Sequence, residues 1–270
     1  MSDSELQAQV AAARAYEALF VPALFAQWAS RVADVAQLQP GQSVLDVGCG
    51  TGILAREAHT RITPSGRAVG LDRDAGMLVV AEEQAPYIEW RQGTAEALPF
   101  PDKSFDAIVC QFGLMFFVDR KRALGEMVRV LRPGGRLAIA VWDSLEHTPA
   151  YAAEAELLER LAGAAAADAV RAPFVLGDSK RLVGELNNAG LAEVRIATLP
   201  GLARFPSIRV MIEAELRGWL PVAGVHLTES EIERILREAE VVFSPYVTLE
   251  GMVFDTSALI AGGHRPYSEV

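Results

Sequence analysis

The run Val44-Leu45-Asp46-Val47-Gly48-Cys49-Gly50-Thr51-Gly52 constrains this chain more than any other stretch. An apolar segment from Ser43 to Val47 ends at glycines in alternate positions, and a helical segment follows from Gly52 to about Ile62. That order reads as strand, turn, helix. Glycine lets the backbone turn sharply off a strand and approach a ligand that a Cβ would exclude. The helix behind it directs free amide groups at whatever polar group lies in the turn. Nicotinamide and flavin enzymes use a related turn. Here, however, the third glycine stands two residues after the second rather than three, away from the dinucleotide fingerprint. Asp72 ends the next strand, Ala68 to Asp72, where its carboxylate would accept hydrogen bonds from the two hydroxyls of a ribose.

The same alternation continues downstream. A helix is expected near Ala75 to Ala85, strands at Ile88 to Gln92 and Phe105 to Cys110, and a helix at about Arg120 to Leu131. The breaker cluster Arg132-Pro133-Gly134-Gly135 should stop that helix before a buried strand, Arg136 to Trp142. Strands alternating with helices imply a parallel sheet wound on both sides. Upstream, Glu5 to Gln37 has helical spacing, read as two helices broken near Pro22 or one kinked there. Downstream the pattern predicts helices over Ala150 to Ala169 and Ser179 to Ala189 and a strand over Glu193 to Thr198. A mostly helical lid is expected over Ser207 to Phe243, with Thr228 and Glu231 as a capping box, and a closing strand within Val247 to Ala261. In the lid, Glu213, Glu215 and Arg217 beside Trp219 read as a solvated face. The organisation expected is a helical cover over 1–40, an α/β domain over 41–206 and 244–265, and a lid insertion over 207–243.

Composition narrows the partners. With 51% apolar residues in 270, the chain can bury a full core. A net charge of −10, with 25 Lys and Arg in no dense block, opposes a phosphate backbone, so no nucleic acid is expected. Cys49 and Cys110 lie in apolar surroundings without zinc spacing, which predicts reduced thiols, no metal site and a cytoplasmic setting. No signal-like segment starts at Met1, and no stretch has the length and apolarity of a membrane span.

From Leu38 to Asp143 the chain resembles the class I S-adenosylmethionine-dependent methyltransferases. More narrowly it is similar to the methyltransferase type 11 group, which includes the ubiquinone and menaquinone C-methyltransferases. Asp46 to Gly52 matches the family's first motif, and Gly70-Leu71-Asp72-Arg73-Asp74-Ala75-Gly76-Met77-Leu78 the second. Gly93 to Phe100 matches the adenine-edge loop, and Asp106 to Gly113 and Leu131 to Gly135 match the fourth strand and the later Pro-Gly-Gly turn. The resemblance implies a Rossmann-like, doubly wound, mostly parallel seven-stranded sheet with an antiparallel last strand and helical additions. It implies S-adenosylmethionine as cofactor, with Asp46, Gly48, Cys49, Gly50 and Gly52 on its methionine part and Asp72, Arg73 and Met77 on the ribose and adenine. Thr94, Ala95 and Glu96 would border the adenine edge, and Gln111 and Phe112 the transferable methyl. Family members commonly carry Asp where this chain has Thr94, whose hydroxyl accepts a hydrogen bond more weakly than a carboxylate.

Methyl transfer from a sulfonium needs in-line approach and exclusion of water rather than a catalytic triad. A base is needed only where the acceptor must lose a proton. Of His59, His147, His226 and His264, the loop residue His147 after the fifth strand is the first candidate for that base, against the plainer reading of a solvated loop histidine. His226 in the lid is the second, and His59 reads as structural. Phe112, Met115, Phe116 and Phe117 are read equally as core or as an apolar acceptor pocket, and Tyr16, Phe20 and Trp28 as a cover over the cofactor or simple packing. The function expected is methyl transfer to an oxygen, nitrogen or carbon of a small apolar or aromatic molecule. The alternatives are a NAD(P)-dependent oxidoreductase and a non-catalytic S-adenosylmethionine-binding regulator. An apolar closing strand at Met252 to Ala261 could form the interface of a homodimer.

Overall fold

The computed structural model describes residues 3–267. The chain opens with α1 (Asp3–Ala15), a π-helical stretch Tyr16–Phe25, and α2 (Ala26–Val35). Pro22, which lacks an N–H, lies inside the wide turns of that stretch, and the Ala26 N–H reaches back to the Val21 carbonyl. The expected break at Pro22 is therefore absent: widening the turn absorbs the missing donor.

Strand β1 (Ser43–Val47) leads into α3 (Ile53–Ile62), β2 (Arg67–Asp72), α4 (Ala75–Gln84), β3 (Glu89–Gln92), β4 (Phe105–Gln111), α5 (Arg120–Val130) and β5 (Leu131–Trp142). β1 pairs in parallel with both β2 and β4, β2 with β3, and β4 with β5. Ala107–Cys110 on β4 and Leu137–Val141 on β5 are buried, as strands covered on both faces must be. The Arg132-Pro133-Gly134-Gly135 cluster does not sit between helix and strand as expected. It lies within β5 as an irregularity, where Phe105 opposes Leu131 while Ala107 opposes Arg136. Gly134, at φ 76°, makes that bulge possible.

Beyond β5 come α6 (Pro149–Ala162), α7 (Ala164–Arg171), α8 (Ser179–Asn188), β6 (Ala192–Phe205) and α9 (Ile208–Ala214). A second π-helical stretch, Glu215–Trp219, precedes α10 (Leu220–Val222), α11 (Glu229–Val242), β7 (Val247–Thr248) and β8 (Gly251–His264). The helix expected over 150–169 is cut at Gly163, whose φ of 91° ends α6. The Thr228–Glu231 capping box forms as read, each side chain bonded to the other residue's backbone N–H.

The path through the sheet is β3-β2-β1-β4-β5-β8-β6, with β7 paired antiparallel to β8. This is the Rossmann-like α/β fold, its seven-strand path supplemented by the two-residue β7. β8 lies inside the path, and Met252, Phe254 and Ala258–Ala261 on it are buried. No helix among the described residues is long and apolar enough to cross a membrane.

Contacts divide the chain into two compact units. The first takes the residues up to Val141, Asp178–Thr198 and those from Leu259 onward; the second takes Trp142–Gly177 and Leu199–Ala258. Residues 207–243 fall within the second, together with α6 and α7.

Candidate functional site

In the first unit the glycine turn leaves β1 as its spacing requires. The Gly48 and Cys49 N–H groups both donate to the Leu71 carbonyl, at 2.8 and 3.0 Å, which pins the turn to the end of β2. Gly48, Gly50 and Gly52 stand at φ 71°, 54° and 88°, the left-handed region that L side chains rarely enter. Asp72 locks the arrangement: its carboxylate accepts the Gly50 N–H at 2.8 Å and the Asp74 N–H at 2.9 Å. Burial raises its pKa, and those amides counter the rise.

Asp46, at the exit of β1, is 1% exposed, and neither carboxylate oxygen makes a hydrogen bond of acceptable geometry. Burial pushes its pKa up to about 8, offset only in part by the nearby Ala55 amide and reinforced by Asp72. A buried acid with both acceptors unmet is costly unless something positive or hydrogen-donating completes it.

The glycines divide their work in a way the sequence did not disclose. A Cβ on Gly50 would meet nothing within 4 Å, so its hydrogen side faces open space. A Cβ on Gly52 or on Gly70 would lie 2.3 Å from the Trp90 ring. The indole of β3 thus fills the space against both glycines, and its Nε1–H donates to the Ala85 carbonyl at 3.1 Å. For Gly52 the lack of a side chain makes room for Trp90. Sequence reasoning missed this tryptophan, because only strand pairing brings it beside two glycines.

The N-terminal helices cover this turn. Glu17 accepts a short hydrogen bond from the Thr51 hydroxyl and pairs with Arg56 at 2.8 Å, while Arg56 also donates to the Thr51 carbonyl at 2.8 Å. A Cβ on Gly76 would lie 2.5 Å from the Gln9 backbone, so α1 rests directly on α4. Tyr16 packs on Phe25 with ring centres 5.3 Å apart, and its hydroxyl pKa is raised by burial and by the charges of Glu17, Asp72 and Asp46. Phe112 is buried against Phe25 and Trp28, with centroid distances of 5.7 and 6.0 Å, and holds φ 55°, strained for a side-chain-bearing residue. Beside it the Gln111 Nε2–H donates to the Phe25 carbonyl at 3.2 Å, and its buried Oε1 has no partner. Of the run after β4, Leu114 and Met115 are buried while Phe116 is 44% exposed, so core and open surface both occur in it.

The remaining cofactor residues expected from the sequence are also in this unit. Thr94 is exposed, Ala95 is buried, and the Glu96 carboxylate accepts the Val118 N–H at 2.9 Å, tying the loop to the segment before α5. Arg73 is exposed and its carbonyl accepts from Gln92 at 3.1 Å; the Met77 N–H is capped by Asp74 at 3.0 Å. His59 packs tilted against Tyr87, with ring centres 4.7 Å apart.

His147 lies in the second unit, on a 3₁₀ turn Leu145–His147. Its Nδ1 meets the Asp143 Oδ2 at 3.0 Å. Asp143 is 5% exposed and held by the Ser144 N–H at 2.8 Å and the Ser257 hydroxyl at 2.9 Å. A carboxylate oxygen accepts, so in this contact it is the ring Nδ1–H that donates. His226 is exposed beside the Arg217–Glu229 ion pair, 2.6 Å long. Glu213 and Arg217 do form the expected solvated face, 2.9 Å apart, but Glu215 does not: it is 7% exposed. The π-helical stretch that begins at Glu215 departs from ordinary helical spacing and carries it inward. Among the described residues no group of three or more His, Cys, Asp or Glu is placed to hold a metal.

Residues 45–139 match the methyltransferase domain family. The ubiquinone/menaquinone biosynthesis C-methyltransferase UbiE of Hahella chejuensis is 44% identical over 118 residues, 42% of this chain and 47% of that protein. The chain thus spans about half the length of the first curated relatives it matches, the 2-phytyl-1,4-naphtoquinone methyltransferase of Thermosynechococcus vestitus at 51% among them. With UbiE of Cronobacter sakazakii the likeness runs further, 33% identity over 190 residues, 64% of this chain and 76% of the relative. The chain belongs to the class I S-adenosylmethionine-dependent methyltransferases. It falls in the methyltransferase type 11 group of that family, with the UbiE-type C-methyltransferases. Solved methyltransferase-fold structures agree on architecture. The YcgJ protein of Bacillus subtilis superposes with a TM-score of 0.60 at 20% identity, covering 90% of this methyltransferase and 99% of that chain. Phosphoethanolamine N-methyltransferase 2 of Haemonchus contortus gives 0.59 at 15% identity, covering 94% and 57%.

Proposed function

We propose that this methyltransferase binds S-adenosylmethionine on the glycine turn of its first unit and methylates an oxygen, nitrogen or carbon of a small apolar or aromatic acceptor. The observation that carries the reading is Asp46: a buried carboxylate with two unmet acceptors, beside a glycine whose missing Cβ faces open space. A ligand end bearing an ammonium and a sulfonium satisfies such an acid, whereas the pyrophosphate of NAD(P) would be repelled by it. Asp46, Gly48, Cys49 and Gly50 would hold the methionine part, with Gly52 acting through Trp90. Asp72 keeps lone pairs for the ribose hydroxyls beyond the two amides it already accepts, and Met77, Thr94 and Ala95 would border the adenine. Arg73 and Glu96 support these through the Arg73 carbonyl and the Glu96 contacts before α5, and Gln111 and Phe112 would face the methyl.

When bound, the cofactor supplies a methyl already activated on sulfur, with a neutral thioether as leaving group. The protein's own task is then orientation, exclusion of water and, for an acceptor that loses a proton, a base. His147 Nε2 suits that role, with Asp143 positioning the ring and Ser257 fixing Asp143. The names of the relatives point to quinone-like aromatic acceptors. We place the protein in the cytoplasm, where the two free, buried thiols stay reduced.

The test is calorimetric titration of ligand-stripped protein with S-adenosylmethionine, S-adenosylhomocysteine, NAD and NADP. Binding of the first pair alone is expected; binding of a nicotinamide nucleotide alone would overturn the reading. With an acceptor in hand, His147→Ala should keep cofactor affinity and lose turnover, and Asp143→Asn should lower kcat and shift its pH profile. Retained turnover in His147→Ala would remove the base.

A further inference from the structure

Asp46, Gly70 and Trp90 stand at one level across three neighbouring strands, Asp46 opposite Gly70 and Gly70 opposite Trp90. Partners at one level of a sheet direct their side chains to the same face, so the missing side chain of Gly70 leaves a gap on that face between the acid and the indole. Two groups enter it. A Cβ on Gly70 would overlap Cζ3 of Trp90 and lie 3.0 Å from the Cys49 Sγ. The outer edge of the same six-membered ring reaches Gly52, where a Cβ would overlap Cη2 and lie 3.2 Å from Cζ2.

The ring is itself anchored. Its Nε1–H donates at 3.1 Å to the carbonyl of Ala85, the residue that closes α4, while Gly52 is the N-cap of α3. One rigid indole thus spans from the end of one helix to the start of another, across Gly70 of the strand that joins them. The other residues of the turn are braced by polar partners: Gly48 and Cys49 by the Leu71 carbonyl, Gly50 by Asp72 and Thr51 by Glu17. Gly52, at φ 88° and with no side chain to anchor it, leans on the indole. The N-cap sets where the chain enters a helix and hence where its first free amides point. Asp72 and Met77 are tied instead to Asp74, through its N–H at 2.9 Å and its carboxylate at 3.0 Å, so the residues expected at the ribose and adenine have a brace of their own.

We propose that Trp90 is a positioning residue for the cofactor: by fixing Gly52 it holds the turn and the start of α3 in the geometry that receives the amino-acid end of S-adenosylmethionine. The inference rests on the methyltransferase reading and adds to it a residue that acts through Gly52 rather than by touching the cofactor. Loss of the ring's outer edge frees Gly52 and loosens the amino-acid end, while the nucleoside end keeps its hold.

The experiment is calorimetric titration of the full chain, wild type and Trp90→Phe, with S-adenosylhomocysteine and with 5′-methylthioadenosine, which keeps the adenosine and the thioether and lacks the amino-acid end. Phenylalanine preserves a ring on β3 and removes the outer edge that meets Gly52. Trp90→Phe is expected to weaken S-adenosylhomocysteine at least about tenfold and 5′-methylthioadenosine by less than about threefold. A packing role alone would lower Tm and leave the ratio of the two affinities as it is, so an unchanged ratio overturns the proposal. Should the variant fail to fold, the wild type decides by NMR: the Trp90 indole N–H resonance should move with S-adenosylhomocysteine and hold still with 5′-methylthioadenosine. An equal response to both, or none to either, refutes the role. Wild-type protein that binds S-adenosylhomocysteine, with an unchanged ratio in the variant, loses this inference alone; wild-type protein that binds neither ligand loses the methyltransferase reading too.

Discussion

Asp46 and Asp72 share one turn yet have opposite needs. Asp72 is already satisfied by two amides, so its replacement removes both a ribose acceptor and a brace on Gly50. Asp72→Ala should weaken S-adenosylmethionine binding by about 1–3 kcal/mol, the scale for charge-assisted hydrogen bonds. Calorimetry checks this, and unchanged affinity would remove the ribose assignment. Asp46 is unsatisfied, with a pKa of about 8, so a cationic ligand must strip its proton below that pH. Cofactor affinity in the wild type should therefore tighten as pH rises toward about 8, by up to about tenfold per unit. Asp46→Asn should bind weakly and without that slope; a parallel slope in the variant would assign it to the ligand or to another group.

At the scale of elements, Trp90 couples β3 to the two glycines of β2 and the turn. Gly70→Ala sets a Cβ 2.3 Å from the indole, on the overpacking scale of about 1–3 kcal/mol. Urea unfolding should register that loss, and Trp90→Leu, by opening room, should recover part of it in the double variant. Full additivity of the two changes would mean that the ring and the glycine are not in contact. The first π-helical stretch is joined to the turn through Glu17, which pairs with Arg56 and accepts from Thr51. Glu17→Ala leaves both partners short of an acceptor and should cost about 1–3 kcal/mol. Hydrogen exchange at Thr51 and along Tyr16–Phe25 should rise with it, and unaltered protection would show that packing alone holds the segment.

For the whole molecule, charge placement sets how stability depends on pH. Asp46 at about 8 and Glu215 at about 7 bind protons in the folded state that the unfolded chain releases near pH 4. Their contribution is fully present below the unfolded value and is lost as pH rises through the folded one. Glu89 and Glu126, held low chiefly against burial by Arg67 and by Arg129 respectively, act the other way and lose their contribution as pH falls. The free protein should therefore have its highest Tm on the acid side of neutrality and a falling Tm between about pH 5 and 8. Saturation with S-adenosylhomocysteine, whose ammonium meets Asp46, should flatten the alkaline fall. A Tm that rises across that range would contradict the placement of these acids.

Alternating strand and helix patterns, the glycine spacing and the acid ending β2 were readable from the sequence alone, because each depends on residues within one turn or one strand. So was the capping box of α11. Burial of Glu154 and Glu215 was not readable, since an acid on a helical pattern looks solvated until packing, and for Glu215 a π-helical turn, carries it inward. Nor were Trp90 against Gly52 and Gly70, Glu17 on Thr51, or Asp143 between Ser257 and His147. Those contacts join segments far apart in the chain, and their existence follows from strand pairing and side-chain packing, which no local run of residues encodes.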